Sequence, residues 1–225
     1  VGFSPEAGII VKQGGELIID GGYLTKVCPD LWRGIQAWGL DTVQYFNQYF
    51  GKVIVRNNAT IEFAKIGIAN HCTLCDHYLM QSGGIILAEN SIFRDNETDI
   101  LLAPFKNEWY GNELPYYSTF QQCDFITTDL LYLYAAPKSH VEMKDVTGVT
   151  FRGCRFYNEL ISSTIPFYDK GIGISSVDAT FILDEYCNSQ ITPCPVEYLI
   201  PCEFSNLEYG VKALNSSSIK TLTLQ

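Results

Sequence analysis

Apolar and polar residues alternate along this chain in short bursts, a period of two that marks β-strands. Residues 9–25 set the rhythm, which breaks at Gly14-Gly15 and again at Gly21-Gly22. Glycine reaches positive φ without steric cost and so supplies tight turns there. Comparable runs follow at 31–39, 52–55, 59–63, 66–69, 84–87, 91–93 and 99–102. The second half adds 123–125, 130–134, 141–143, 149–151, 154–156, 171–174, 179–183, 202–204 and 210–213. Few stretches hold a 3.6-residue apolar period, so little helix is expected. The rhythm predicts three short strands per turn of chain, interrupted by excursions at 40–51, 71–83 and 104–117.

A degenerate motif lies over this alternation. Its copies are Ser91-Ile92-Phe93, Cys123-Asp124-Phe125, Cys154-Arg155-Phe156 and Cys202-Glu203-Phe204, with Thr60-Ile61-Glu62-Phe63 as an earlier, looser one. The first positions advance by 31, 32 and 31 (91−60, 123−91, 154−123), and a final step of 48 (202−154) leaves room for an inserted loop. A fixed period in this range marks stacked supersecondary units. A sandwich gives no reason for one motif to return at that interval, whereas in stacked coils equivalent positions meet the same neighbours. The prediction is an all-β, right-handed parallel β-helix with inserted loops, roughly seven coils at about 4.8 Å each, forming one domain over 1–225. Thr60, Ser91, Cys123, Cys154 and Cys202 should form one inward column, and Phe93, Phe125, Phe156 and Phe204 another. Asp95, Asn158 and Asn206 should take turn or left-handed conformations.

Composition narrows the partners. With 225 residues, 47% of them hydrophobic, the chain can bury a continuous core. A formal net charge of −10 repels nucleic acid and anionic lipid, which removes both from the expected partners. No apolar run approaches the roughly 18 residues that span a bilayer, so no membrane insertion is expected. The chain opens on Val1 and closes on an alternating run, 219–225, with no polar cap. Stacked folds need capped ends, so a fragment of a longer protein with adjoining domains is expected. Eight cysteines, an even number, favour an oxidising compartment and at least one disulfide. Cys123 and Cys154 read as inward thiols, and Cys187 with Cys194 as a staple across the inserted loop.

Three stretches carry a family resemblance: the run 9–25, Cys28-Pro29-Asp30-Leu31-Trp32-Arg33-Gly34-Ile35, and Ile54-Val55-Arg56-Asn57-Asn58-Ala59-Thr60-Ile61. Together they resemble the pectin-lyase-like β-helix regions of large secreted or surface proteins of Bacteroidetes, many of them similar to cargo of the type IX secretion system. The resemblance implies the coil fold and a secreted or cell-surface location. It implies no particular activity.

Sugar-cleaving members of that scaffold need acids, a base and often calcium on adjacent coils. The Asn-Thr-Asp, Asp-Asp, Gly-His-Gly and Arg-x-Lys patterns of polygalacturonase-like members do not occur in this sequence. Glu97, Asp129 and Glu159 follow one another at intervals of 32 and 30 (129−97, 159−129), in rough register. They read either as carboxylates for Ca²⁺ or as a solvated turn. His71, Cys72, Cys75 and His77 resemble half of a zinc site, although four ligands packed into so short a stretch would strain the loop. A disulfide involving Cys72 or Cys75, or packed thiols, are the other readings.

The third excursion supplies the candidate ligand-binding residues Trp109, Tyr110, Tyr116 and Tyr117. Aromatic faces beside amides and carboxylates suit glycans and protein partners; the same rings could instead cover an apolar face of the coils. No catalytic residue is assigned, and no cofactor beyond that calcium. The expected function is a non-enzymatic secreted or cell-surface module, a structural spacer or an adhesin-like recogniser of a glycan or surface protein. The competing reading is a diverged carbohydrate-active enzyme, a polysaccharide lyase or glycoside hydrolase.

Overall fold

The computed structural model describes residues 1–40, 43–73, 75, 81–160 and 165–216, the side chains of 45–47 excepted. The strand expected at 219–225 lies outside them. Three long sheets, parallel throughout, make up the body. Sheet 1 contains Ile9–Val11, Trp32–Ala37, Ala64–Ala69, Thr98–Leu102, Ser139–Lys144, Ile172–Val177 and Tyr209–Leu214. Sheet 2 contains Glu16–Asp20, Lys52–Arg56, Ile85–Glu89, Thr119–Gln121, Val149–Arg152 and Phe181–Asp184. Sheet 3 contains Gly2–Phe3, Tyr23–Lys26, Thr60–Glu62, Ile92–Arg94, Asp124–Thr127, Arg155–Asn158 and Glu203–Ser205. The chain passes through the sheets in a repeating order, 1 to 2 to 3 and back to 1, consistent with a β-helix solenoid.

Parallel register stacks like on like. Phe93, Phe125, Phe156 and Phe204 pair in turn across sheet 3. Their rings lie nearly parallel at 5.1, 4.6 and 4.7 Å. Phe120 and Phe151 do the same in sheet 2 at 4.9 Å. Neighbouring strands are about 4.8 Å apart, close to the separation at which stacked rings attract. A phenylalanine repeated at one position is therefore packed by its own copies, and each buried ring contributes about 1.5–3 kcal/mol of transfer energy.

The small-residue column differs from the expected one by a single place. Thr60 pairs with Ile92, and Ile61 with Phe93, so Ala59 rather than Thr60 stands before Ser91, Cys123, Cys154 and Cys202. The carbonyls of Ala59, Ser91, Cys123 and Cys154 accept the amides of Ile92, Asp124, Arg155 and Glu203 at 2.8–2.9 Å. The steps along the column become 32, 32 and 31 (91−59, 123−91, 154−123). Phe63, which anchored the looser copy, sits just past the strand with φ 53°.

Two further expectations fail where long connections leave sheet 3. Asp95 and Asn206 take left-handed φ of 54°, as expected, but Asn158 is the last residue of a strand. Its side-chain amide donates to the Tyr132 hydroxyl and the Lys170 carbonyl at 2.9 and 3.0 Å. The chain runs on there into a loop, so no sharp turn is required. Within 128–138 the expected strand at 130–134 is a 3₁₀ turn, Leu131–Leu133, with Leu131 as its buried side chain.

One interior column is polar. Gly67, Asp99, His140 and Gly173 fall opposite one another where sheet 1 begins. A Cβ on Gly67 would lie 2.5 Å from the Asp99 carbonyl oxygen, and one on Gly173 2.6 Å from the Phe204 ring. Glycine is needed at both close approaches. Between them Asp99 Oδ2 and His140 Nδ1 are 2.7 Å apart and buried, and Asn96 Nδ2 donates to Asp99 Oδ1 at 2.7 Å.

Candidate functional site

All three excursions leave from one corner, the connection from sheet 1 to sheet 2, in consecutive layers of the stack. Excursions spaced one repeat apart in sequence are thus neighbours in space. Buried amides tie them together. Gln44 donates from Nε2 to the Gly83 carbonyl at 2.7 Å and accepts at Oε1 from the Tyr117 amide at 2.9 Å. Its own backbone amide donates to Asn107 Oδ1 at 2.8 Å. Asn70 accepts from the Ala103 amide at 2.7 Å and donates to the Tyr116 hydroxyl at 2.7 Å, which passes a hydrogen bond to the Gly84 carbonyl. Phe50, Phe105 and Tyr116 meet edge to face at 6.0 and 5.7 Å.

The four candidate aromatics are thereby divided. Tyr116 is 3% exposed and belongs to the core, and burial pushes its phenol well above the usual tyrosine range. Tyr117 is half-buried and packs against the same core. Tyr116 presents no face to solvent as the binding expectation required, because the apolar corner needs it as cover; Tyr117 keeps part of its surface exposed. Trp109 and Tyr110 are 43% and 88% exposed. They stand on an antiparallel hairpin, Glu108–Trp109 with Asn112–Glu113, and their rings meet at 4.8 Å and 74°. The Tyr110-Gly111 turn has positive φ at both residues, 49° and 78°, the geometry of the two-residue turns that suit a twisted hairpin.

The metal expectations resolve differently. Cys72 and Cys75 form a disulfide with a Cα–Cα distance of 5.6 Å, so neither sulfur is a thiolate able to bind zinc in this state. His71 is buried, which lowers its imidazole from 6.5 to about 4. His77 lies outside the described residues. Glu97 pairs with Lys138 at 3.3 Å, while Asp129 and Glu159 are exposed. Among the described residues no three His, Cys, Asp or Glu side chains converge as they would around an ion. The second disulfide, Cys187–Cys194, is the expected staple, and Cys28, Cys123, Cys154 and Cys202 are free.

Two polar clusters escaped sequence reading. On the outside of sheet 3 the Glu62 carboxylate takes hydrogen bonds from Tyr23, from Thr25 at 2.8 Å, and from Arg94 Nε and Nη2 at 2.9 and 2.6 Å. Four donors saturate it, leaving no lone pair for proton transfer. The Asp99–His140 pair has the residue types of a general base, but it is enclosed. His140 Nε2 has no hydrogen-bond partner among the described residues, and the space beside it has no room for a water. Charged neighbours on the outer faces are matched across strands, as in Asp20–Arg56, Asp124–Arg155 and Arg152–Asp184. The repeat length alone could have suggested those pairs, since their partners lie 36, 31 and 32 residues away.

Comparison with protein families, with curated proteins and with solved structures gave no match. The fold and site define a class of architecture, a stack of parallel strands with a loop cluster on one corner. Two disulfides suit an oxidising or extracellular environment. No helix among the described residues is long and apolar enough to cross a membrane.

Proposed function

We propose that the protein is a non-enzymatic recognition module of a secreted or cell-surface protein, built on a right-handed parallel β-helix of roughly seven coils. The similarity to pectin-lyase-like regions of Bacteroidetes type IX cargo belongs to this reading. One observation carries it: the hairpin holds Trp109 and Tyr110 away from the core, on a loop cluster pinned by Gln44, Asn70 and Asn107. Rigid exposed aromatics on a pre-organised loop are the usual anchors of an interface, because little side-chain entropy is lost on binding. A spacer would have no use for them. The diverged-enzyme reading is less well supported, since the carboxylate and imidazole groups that resemble catalytic ones are saturated or enclosed.

The test is a glycan and surface-protein binding screen with wild type and the Trp109→Ala/Tyr110→Ala double variant. Loss of a detected interaction at unchanged melting temperature is expected. A large fall in melting temperature with binding intact would make the hairpin packing rather than recognition.

A further inference from the structure

The hairpin contains two features that its own fold does not reward. Tyr110 occupies a left-handed position, φ 49°, next to Gly111. A bulky side chain is disfavoured there, where Asn or Gly is usual, and at 88% exposure its ring gains almost no burial in return. Trp109, beside it, is 43% exposed and meets the Tyr110 ring. Glu108 and Glu113 are paired directly across the two strands, and like charges in that relation repel. Both are exposed, and neither has an ion-pair partner among the described residues. The Thr147 hydroxyl donates to Glu113 Oε1, which holds that side chain without neutralising it.

We propose that this hairpin docks a basic segment of a partner protein. Arginine or lysine side chains of that segment meet the Glu108 and Glu113 carboxylates, while Trp109 and Tyr110 seat it at the tip. The inference rests on the recognition reading above and narrows it to one class of partner. Charge complementarity selects the occupant. A cation relieves the Glu108–Glu113 repulsion and gains from both carboxylate pairing and aromatic faces, with arginine favoured because its planar group does both. A neutral glycan would use the rings but gain nothing from two carboxylates held opposite each other. The net charge of −10 adds long-range attraction for such a segment.

The probe is a fluorescein-labelled peptide of four Arg-Gly repeats, titrated by anisotropy against the full chain at low and high salt. A four-repeat Glu-Gly peptide and a panel of neutral oligosaccharides serve as comparators. The Glu108→Gln/Glu113→Gln variant should bind the basic peptide at least tenfold more weakly while melting no lower than wild type. Trp109→Ala/Tyr110→Ala should also lose it. A variant with the same change in charge at a different corner, Glu185→Gln/Glu197→Gln, should bind as wild type does. If the basic peptide does not bind, or if Glu108→Gln/Glu113→Gln binds it like wild type, the basic-partner inference is overturned. Neutral sugars bound in a Trp109/Tyr110-dependent but Glu108/Glu113-independent way would overturn it while leaving recognition by the hairpin in place. Binding of every ligand unaffected by Trp109→Ala/Tyr110→Ala would overturn both.

Discussion

Phe156→Ala tests whether the stacked rings of sheet 3 hold the coils together. Phe156 is fully buried, lies nearly parallel to Phe125 at 4.6 Å and Phe204 at 4.7 Å, and meets Phe151 edge on at 5.9 Å. Truncating a buried phenylalanine costs about 3–5 kcal/mol. Two stacked contacts, each worth about 0.5–1.5 kcal/mol beyond area burial, place this residue at the upper end, about 4–5 kcal/mol. Phe204 is half-buried and stacks on Phe156. Phe204→Ala should therefore cost about half as much, by the same transfer and stacking estimates.

The assay is urea unfolding followed by tryptophan fluorescence and by far-ultraviolet circular dichroism. Trp32, Trp38 and Trp109 all precede the layer that contains Phe156. A stacked fold couples mainly nearest neighbours, so the void should separate the layers on its two sides. The dichroism curve of the variant should shift to lower urea and separate from the fluorescence curve, while the wild-type curves coincide. Phe156→Leu, which retains most of the volume, should fall between the two. A loss below about 1 kcal/mol, or a larger loss for Phe204→Ala than for Phe156→Ala, would refute the stacking argument.

Two other outcomes are expected. Alkylation under denaturing, non-reducing conditions should label four cysteines, Cys28, Cys123, Cys154 and Cys202. On the native protein it should label Cys28 first, because burial pushes the Cys154 thiol well up, and contact with Cys154 followed by burial does the same to Cys202; labelling of all eight would contradict both disulfides. His71 should weaken the fold in acid: its imidazole is at about 4 when folded against 6.5 when free. Its contribution is complete above pH 6.5 and is lost as the unfolded chain takes up a proton between 6.5 and about 4, a loss of about 3 kcal/mol. His71→Asn should flatten urea-measured stability across that window, and an unchanged pH slope would count against the burial argument.

Most strands, the parallel stack and the phenylalanine column were legible in the sequence because alternation and period are properties of the chain itself; the run at 130–134, a 3₁₀ turn, was not. A regular repeat says which positions are equivalent, and equivalence suffices to stack Phe93, Phe125, Phe156 and Phe204. It does not settle register to one residue where a copy is weak. Thr60-Ile61-Glu62-Phe63 offers a phenylalanine in nearly the right place, and only the pairing of Ile61 with Phe93 shows that Phe63 has already left the strand. A slip of one residue exchanges the two faces, which is why Thr60 was placed in the wall and Ala59 was not.

The site was less legible, for a related reason. Whether a tyrosine faces water or core depends on what the next layer puts beside it. Tyr116 and Tyr110 lie in one aromatic excursion, yet Tyr116 is sealed by Asn70 and Gly84 from other parts of the chain, and by Phe105 from its own, while Tyr110 meets solvent. Gln44, Asn70 and Asn107 look like ordinary loop amides until the three excursions converge on one corner. Their partners lie as far as 73 residues away. A buried amide is tolerated only when its hydrogen bonds are met, and those partners exist only once the coils have stacked. Local pattern therefore determined the layers of this protein, while contact between layers decided which polar and aromatic side chains became structure and which were left exposed to solvent.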